Sequence, residues 1–215
     1  MRTKNQRLDA LVSEWRAIGS PDQEGFPWDL SKPRWVQLAD EFHVNISEFP
    51  DLIDRQFLWN LSAGAAPAQT SFLAVMIWGY GDIGYGPHRV RQMFQSTGFA
   101  NSVDLVKAKC RDGQSLEAYE FLKNSRIRQL GPSFGSKVVT FFHAPDSAPA
   151  IMDSIVARWL NEYVPSLLGN KKVNAETWNV RTYERYISWI EEASDAYQIP
   201  SCSLEQLIFT DGYGS

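Results

Sequence analysis

Along most of the chain, apolar residues recur at intervals of three and four, which is the spacing of one buried face of an α-helix. The first such stripe includes Leu8, Trp15 and Ile18 and stops at Gly19, where a Gly-Ser-Pro run breaks the helix. The same spacing predicts helices after Pro33 and over residues 51–60, 69–78, 87–95, 102–110, 115–124, 151–163, 175–198 and 203–209. The pattern therefore predicts a string of helices separated by short breaks.

Residues 137–142 (KVVTFF) are rich enough in β-branched and aromatic residues to form a strand. They are short, however, and lie between segments with a helical pattern. No other stretch alternates between apolar and polar residues, and the sequence contains no internal repeat or flexible linker. We therefore predict an all-α fold. It would be a single domain over residues 1–215, with two helical lobes around a groove and the N- and C-terminal helices sharing one lobe.

The composition of the 215 residues is that of a globular protein, since 44% are apolar and 13% are aromatic. No apolar run approaches the ~20 residues that span a bilayer, and the first nine residues lack the apolar core of a signal peptide. The only cysteines are Cys110 and Cys202, and the three histidines have no metal-ligand spacing. This excludes a disulfide framework, a Cys-rich zinc site and a four-Cys iron–sulfur cluster. We expect an intracellular, cytoplasmic protein without a membrane partner.

Charge is unevenly distributed along the chain, although the net charge is only −4. Residues 8–54 hold ten acidic side chains against three basic ones, and residues 184–211 hold six against one. Residues 121–145 hold four basic side chains and no acidic one, and residues 84–103 and 163–175 also carry basic residues only. Such segregation could give one face a positive potential that attracts a polyanion, although a solvated face is the ordinary explanation of a charge run.

Residues 79–84 (GYGDIG) match the glycine pattern GxGxxG, and Asp104 lies twenty residues beyond the last glycine. A dinucleotide site needs a strand before this loop and a second parallel strand after the following helix. The sequence offers no second apolar strand. We therefore interpret the glycines either as a break between helices or as a loop whose bare backbone lets a ligand approach closely.

Residues 126–142 (RIRQLGPSFGSKVVTFF) have the layout of a helix-hairpin-helix. A predicted helix runs into a Gly/Pro/Ser-rich turn, and a new apolar segment begins directly after Lys137. Small residues expose the backbone N–H groups of such a turn, and the next helix adds its positive N-terminal dipole. Phosphate oxygens suit this geometry, often with the help of a structural monovalent or divalent ion. An ordinary turn between two helices is the alternative.

The sequence GSKVVTFF, with a lysine directly after the hairpin, resembles the helix-hairpin-helix DNA glycosylases with lyase activity. The likeness is greatest to the 8-oxoguanine DNA glycosylase/lyases and their compact bacterial relatives, and it covers about residues 130–160. It implies that Lys137 is the catalytic lysine and Asp153 the catalytic aspartate. It also implies that four hairpin residues contact the DNA backbone: Ser133, Phe134, Gly135 and Ser136.

The hairpin departs from the family pattern in one respect, because only the second glycine of its Gly-hydrophobic-Gly motif is present, as Gly135. This puts the detailed phosphate geometry in question more than the chemistry. The Cys cluster of the iron–sulfur subfamilies is absent, which points away from the endonuclease III and adenine-glycosylase branches.

The proposed chemistry explains why a lysine and an aspartate would be needed. A lysine amine can attack the sugar C1′ and form a Schiff base, provided that its surroundings favour the neutral amine. A nearby carboxylate can stabilise the oxocarbenium-like transition state as the glycosidic bond breaks. Simpler roles also exist: Lys137 could contact a phosphate, and Asp153 could cap the helix that follows it.

Other candidate residues are less specific. Three aromatic residues near the C-terminus could line the pocket of a flipped base, or simply pack in the core: Trp178, Tyr183 and Tyr186. Four arginines could contact DNA, or lie on a solvated face: Arg89, Arg91, Arg126 and Arg128.

The sequence therefore leads to a bifunctional DNA glycosylase/AP lyase that excises an oxidised purine, with 8-oxoguanine as the expected base, in base excision repair. It would act as a monomer on double-stranded DNA with a damaged or modified base. It would need no redox cofactor or catalytic metal, and it would be nucleoid-associated in a bacterium. One alternative is a non-catalytic helix-hairpin-helix protein that recognises damaged or modified DNA, and another is a nucleotide-dependent oxidoreductase built on the glycine cluster.

Overall fold

The structure of the protein, a computed structural model, describes residues 5–19, 25–29, 32–169 and 171–214. These residues form eleven α-helices: α1 (Gln6–Ala17), α2 (Lys32–Glu41), α3 (Arg55–Ala63), α4 (Ala68–Tyr80), α5 (Gly86–Phe94), α6 (Phe99–Arg111), α7 (Ser115–Ser125), α8 (Pro132–Phe142), α9 (Ser154–Tyr163), α10 (Val180–Tyr197) and α11 (Ser201–Tyr213). Two short 3-10 helices cover Pro145–Ser147 and Pro165–Leu168. The prediction of an all-α fold is confirmed.

Two very short strands also occur, which the sequence pattern did not predict. Strand β1 (Phe26–Pro27) pairs antiparallel with β2 (Leu52–Ile53), and Phe26 lies opposite Ile53. Segments of two residues are too short to show an alternating pattern. The pairing holds the chain around Phe26 close to the start of α3.

Helix α4 forms the centre of the fold. It is apolar around its whole circumference, and every residue of 70–77 is buried. A helix without a polar face must be surrounded by other elements. Accordingly, α4 packs against α3, α5, α6 and α8.

Residues 137–142 are helical, so the possibility of a strand there is wrong. They belong to α8, which begins at Pro132 and is buried along most of its length. Proline is favoured in the first helical turn because its missing N–H would have no helical partner there. Val138, Val139 and Phe141 are all buried, because α8 packs against α3, α4, α6 and α7. Tertiary burial outweighs the strand preference of these residues.

Three helices begin later than the sequence spacing predicts, and each begins at a side-chain cap. The Asp54 carboxylate accepts a hydrogen bond from the Phe57 N–H and starts α3. Asp153 caps α9 in the same way, and Asn179 caps α10. These polar residues satisfy backbone donors that have no partner inside the helix.

The C-terminal helix α11 packs against α9, α10 and α1. An ion pair between Arg7 and Asp211 joins α1 to α11. A cavity lies where the ends of α4 and α8 approach α9 and α11. Within the described residues, no helix is long and apolar enough to span a membrane. The two-lobed arrangement of a single domain stays a prediction.

Candidate active site

Lys137 and Asp153 lie side by side in a buried position. The Lys137 Nζ is 3.2 Å from the Asp153 Oδ2, and each residue is only 8% exposed. Lys137 extends from α8, whereas Asp153 lies directly before α9. The structure therefore brings together the two residues that the sequence motif singles out.

Asp153 contacts two elements at once. Its Oδ1 accepts hydrogen bonds of 3.0 Å from the backbone N–H groups of Ile155 and Val156, while its Oδ2 faces Lys137. The carboxylate thus caps α9, as the simpler interpretation of the sequence requires, and still pairs with the lysine. Its position is fixed by the backbone as well as by the ion pair.

The segment before Asp153 is held on both sides. The Ser136 hydroxyl accepts a hydrogen bond from the Met152 N–H at 3.1 Å. On the other side, the phenols of Tyr183 and Tyr186 donate to the carbonyls of Ala150 (3.3 Å) and Ile151 (3.0 Å). Burial raises the pKa of both phenols, so they act as neutral donors. These contacts orient Asp153 towards α8.

Three of the candidate site residues from the sequence are fully buried. Tyr183, Tyr186 and Ser136 are 0% exposed and lie in the core. The Tyr183 ring stacks on Tyr119 of α7, and both phenols bond to the 150–151 segment, so the tyrosines take the core position that the sequence left open beside a base pocket. The Ser136 hydroxyl is hydrogen-bonded inside the protein, and a contact of Ser136 with the DNA backbone stays a prediction.

Gly135 is likewise buried, and Trp178 covers it. A Cβ at Gly135 would lie 2.2 Å from the Trp178 ring, so only glycine permits this contact. Trp178 also packs against Tyr119 and does not line the cavity beside Lys137. Trp178 therefore packs against the core, which is the second of the two positions that the sequence left open, and a contact of Gly135 with the DNA backbone stays a prediction. The two residues hold the chain before α10 against the first turn of α8.

Lys137 and Asp153 open onto a cavity of about 540 Å³. The walls come from β1, from α3, α4, α8 and α11, and from the start of α9. The residues that line it are Gly25, Phe26, Arg55, Trp78, Gly79, Ile83, Ser133, Phe134, Lys137, Ile151, Asp153, Ser154, Ile155, Glu205, Phe209 and Tyr213. The wall is thus mainly apolar, with a few charged groups that converge on one space.

Gly79 lies where the end of α4 crosses α8 in this wall. A Cβ at Gly79 would lie 2.8 Å from the Phe134 Cε1 and 3.2 Å from the Lys137 Cδ. The absent side chain leaves room for the lysine stem to extend along α4. The start of the GYGDIG motif is therefore helical. Its first glycine allows close packing against Phe134 and Lys137 and is not part of a dinucleotide-binding loop.

Arg55 and Glu205 form a second buried ion pair in the same wall. The Arg55 Nη2 donates to the Glu205 Oε2 at 2.7 Å, and its guanidinium lies over the rings of Trp78 (5.4 Å) and Phe141 (6.0 Å). Glu205 is only 1% exposed. Burial raises the pKa of its carboxyl, and Arg55 opposes that rise.

The hairpin turn comprises residues 126–131, which precede the segment that the sequence layout predicts as the turn. Arg126 and Gln129 have left-handed backbone conformations, with φ of 52° and 63°, and Gly131 precedes α8 without a side-chain cap. Ser133 and Phe134 are only half-buried in the first turn of α8, and they also line the cavity.

The four predicted arginines differ in their surroundings. Arg126 and Arg128 are exposed at the hairpin turn, and neither forms an ion pair with a described residue. Arg89 is exposed and lies over the Tyr85 ring. Arg91 pairs with Glu41 of α2 at 2.8 Å, so a carboxylate distant in sequence offsets its charge. Whether any of them contacts DNA stays a prediction.

Glu205 and Phe209 are two of the cavity residues that sequence reasoning missed. Both lie on α11, where the buried positions Leu204, Ile208 and Gly212 form a helical stripe. Glu205 interrupts this stripe with an acidic residue, which was a detectable signal. Phe209 gave no such signal, because an apolar residue on a helix is ordinarily a core residue.

Among the described residues, no cluster of three or more His, Cys, Asp or Glu side chains could hold a metal ion. The candidate site therefore consists of the Lys137–Asp153 pair, the Arg55–Glu205 pair and the mainly apolar wall around them.

Comparison with known proteins identifies one family. The family model described as "Putative 8-oxoguanine DNA glycosylase OGG-like protein" matches residues 19–209, a range that contains both ion pairs. No curated protein matches the chain. No solved structure matches it either.

Proposed function

The chain belongs to this OGG-like family of DNA glycosylases, and we propose that it excises an oxidised guanine, with 8-oxoguanine as the expected base, and then cleaves the DNA backbone as an AP lyase. The observation that carries the proposal is the Lys137–Asp153 pair, with Nζ and Oδ2 3.2 Å apart at a cavity. An amine and a carboxylate are the two groups that this chemistry requires.

In the proposed reaction, the bond between C1′ and the base nitrogen breaks, and its electron pair leaves with the base, which takes up a proton. The neutral amine of Lys137 gives its electron pair to C1′. The C1′–O4′ bond then opens, O4′ becomes a hydroxyl, and the nitrogen loses its protons to form the imine. Loss of a C2′ proton finally expels the 3′ phosphate and breaks the strand.

Asp153 would serve two steps of this sequence. Its carboxylate is close enough to Lys137 Nζ to accept the proton that must leave before attack. It also supplies negative charge beside the positive charge that develops at C1′ and O4′. Because Ile155 and Val156 already hold its other oxygen, little reorganisation is needed during the reaction.

The cavity supports the binding of a base that has left the stack. Its volume of about 540 Å³ lies within the range of small-molecule sites, roughly 300–1,000 Å³. Enzymes that act on a base extrude it into a pocket and hold it between aromatic or apolar side chains. Phe134 and Phe209 offer such surfaces on two different helices.

Glu205 supports a guanine-type base. The Watson–Crick edge of guanine carries two adjacent donors, N1–H and the N2 amino group, whereas that of adenine carries a donor beside an acceptor. A buried carboxylate accepts hydrogen bonds only, so it matches the guanine edge and opposes the N1 acceptor of adenine. Arg55 pairs with Glu205 and opposes the loss of the carboxylate charge that burial favours.

The hairpin turn supports a DNA partner. Arg126 and Arg128 are exposed within this turn, and Gly131 leaves the start of α8 without a side-chain cap. Phosphate oxygens are suited to such a helix N-terminus. Because the net charge of the chain is −4, we expect modest affinity that falls steeply with salt. The enzyme would act as a monomer in base excision repair in the cytoplasm, at the nucleoid in a bacterium.

The test uses a labelled duplex with a single 8-oxoguanine, incubated with the wild type, Lys137→Gln or Asp153→Asn. We expect wild-type protein to break the strand without alkali treatment, which requires both base removal and lyase action. Breaks that appear only after hot alkali would indicate that the protein removes the base but has no lyase activity. Binding without breaks under either condition would favour the non-catalytic DNA-binding protein.

A further inference from the structure

Besides the cavity of the candidate active site, a basic concavity lies at the start of α10. Its volume is about 270 Å³, and it is lined by Leu168, Lys171, Asn179, Arg181, Thr182 and Arg185. Three of these six side chains are cationic and none is acidic. Lys171, Arg181 and Arg185 are all exposed, and none forms an ion pair with a described residue.

The fold fixes the backbone that carries these cations. Arg181 and Arg185 are four residues apart, so they lie on the same face of α10. The opposite face of α10 is buried through Tyr183 and Tyr186, which hydrogen-bond to the 150–151 segment. The helix therefore cannot turn this face away from the concavity without breaking core contacts.

The chain that brings Lys171 to the concavity is also anchored. The Asn161 side chain of α9 donates to the Val173 carbonyl at 2.8 Å and accepts from the Val173 N–H at 2.7 Å. Two residues after Lys171, the backbone is thus fixed to α9. The three charges converge because of the fold and not because of a flexible surface loop.

The positive potential comes from side chains rather than from the helix end. Asn179 Oδ1 already accepts a hydrogen bond from the Thr182 N–H at 3.1 Å, so the first turn is partly capped. Glu176 and Glu184 are nearby in sequence but do not line the concavity. Three like charges around one small space repel each other, and an anion with several acceptor oxygens relieves that repulsion.

The segment that leads into α10 contacts α8, the helix that follows the hairpin turn. Ser133 of α8 donates a hydrogen bond to the Ala175 carbonyl at 3.2 Å, and Trp178 covers Gly135. The segment between Lys171 and Arg181 therefore packs on the first turn of α8. A DNA strand that continues along the protein surface from the hairpin turn would therefore meet this basic concavity next.

We propose that Lys171, Arg181 and Arg185 form a second phosphate-binding site, which takes a backbone phosphate of the same DNA that the hairpin turn binds. The proposal rests on the proposed function, because it needs DNA as the partner. Guanidinium groups suit this ligand, since each can donate two parallel hydrogen bonds to phosphate oxygens.

The test measures the binding of a fluorescent duplex that contains a non-cleavable abasic-site analogue, between 50 and 200 mM KCl. The variant Arg181→Ala/Arg185→Ala is compared with the control Arg16→Ala/Lys109→Ala, which removes the same charge elsewhere. We expect the variant to weaken the Kd about fivefold or more, while the control stays within about twofold. The slope of log Kd against log salt should fall by about 0.9 for each phosphate that the variant no longer neutralises.

Two results would overturn the proposal. One is a variant whose Kd and salt slope equal those of the control. The other is protection by phosphate alone: if inorganic phosphate raises the melting temperature of the wild type but not of the variant, and DNA affinity is unchanged, the site takes free phosphate instead.

Borohydride trapping on abasic DNA distinguishes this proposal from the proposed function. At saturating protein, the Arg181→Ala/Arg185→Ala variant should trap DNA as fully as the wild type, because Lys137 is intact. If both proteins trapped DNA and the variant bound it as tightly as the wild type, the second phosphate site alone would be rejected. If the wild type bound DNA but did not trap it, only the proposed lyase chemistry would be rejected, whereas failure to bind DNA would reject both.

Discussion

Asp153 divides its carboxylate between a helix and a lysine: one oxygen caps α9, and the other lies 3.2 Å from the Nζ of Lys137. The residue therefore stabilises the fold and prepares the candidate chemistry with the same side chain. A variant that removes only one of these roles can separate them.

Asp153→Asn should keep the fold and lose the chemistry. Asparagine caps a helix about as well as aspartate, but it has no negative charge. We expect the capping contribution to the free energy of unfolding to change by less than about 1 kcal/mol, so any larger loss reports the buried Lys137 charge left without its partner. Strand cleavage of 8-oxoguanine DNA should fall by roughly 100-fold or more. Urea unfolding and single-turnover cleavage measure the two effects.

Asp153→Ala is the matched comparison, because it removes the cap as well as the charge. It should lose an additional ~1 kcal/mol of stability relative to Asp153→Asn. If Asp153→Asn proved as active as the wild type, the carboxylate would have no role in the chemistry and only the capping role would remain.

Gly79→Ala should impair Lys137 from the neighbouring helix. The new methyl group would lie 2.8 Å from the Phe134 Cε1 and 3.2 Å from the Lys137 Cδ, so ring and lysine stem must shift. A displacement of about 1 Å in a reacting group can cost about 100-fold in rate. We expect a loss of at least about tenfold in the rate of borohydride trapping, with the protein still folded.

Gly214→Ala is the control for this substitution, because the nearest atom that a Cβ would meet there is 3.9 Å away and the φ of −88° is ordinary. It should trap DNA at the wild-type rate. Equal rates for Gly79→Ala and Gly214→Ala would show that the close approach of α4 to Lys137 has no bearing on the reaction.

The sequence was sufficient to predict the helices, because helical spacing is a local signal. Lys137 and Asp153 were singled out by the resemblance to the helix-hairpin-helix glycosylases. The sequence left open whether Tyr183 and Tyr186 line a pocket or pack in the core, and the structure shows that they orient the segment before Asp153 from within the core. Spacing on one helix does not tell which neighbour its aromatic face will contact. That depends on packing between α10 and a segment more than thirty residues away.

Gly79 illustrates the same limit. Its glycine motif was visible, but the contact with Phe134 and Lys137 exists only because α4 and α8 cross at this point. Glu205 and Arg55 are 150 residues apart in sequence and meet only in the folded cavity wall. An acid within an apolar stripe indicated an unusual buried position, while its partner could not be identified without the structure.

Glu205→Gln should reduce base recognition more than lyase chemistry. Glutamine keeps an oxygen for Arg55 and replaces the other acceptor with a donor NH₂ group, which opposes the two donors of guanine. We expect cleavage of 8-oxoguanine DNA to fall by about 10- to 100-fold, as for a lost buried hydrogen bond to a charged group. Trapping on DNA with a preformed abasic site should change by less than about threefold, since no base has to be recognised.

Equal losses on both substrates would contradict this role, because they would indicate general damage to the site. No loss on either would show that Glu205 only partners Arg55. Thermal unfolding of each sample provides the control for folding.

His143 should make the protein less stable in mild acid. It is buried at the end of α8, where its Nε2 lies 3.1 Å from the Ser115 hydroxyl, and burial lowers its pKa to about 4. The unfolded chain has a histidine pKa of ~6.5 and therefore takes up this proton first as the pH falls. The contribution of neutral, buried His143 to the free energy of unfolding is fully present above pH ~6.5. It declines as the pH falls and stops declining below about 4.

His143→Gln removes this titration but retains a polar group for Ser115. We expect the difference in free energy of unfolding between wild type and variant to move in favour of the variant as the pH falls from 6.5 to 4. Urea unfolding at several pH values measures it. A difference that stays constant across this range would mean that His143 does not titrate differently in the folded and unfolded chains.

The most direct test of the central claim is to identify the atom that bonds to DNA. Wild-type protein is incubated with an 8-oxoguanine duplex and borohydride, the adduct is digested, and the modified peptide is sequenced by mass spectrometry. Our account predicts a reduced sugar adduct on Lys137, and no adduct with Lys137→Gln, which should still bind the duplex. An adduct on another residue, or none with DNA that the protein clearly binds, would contradict it.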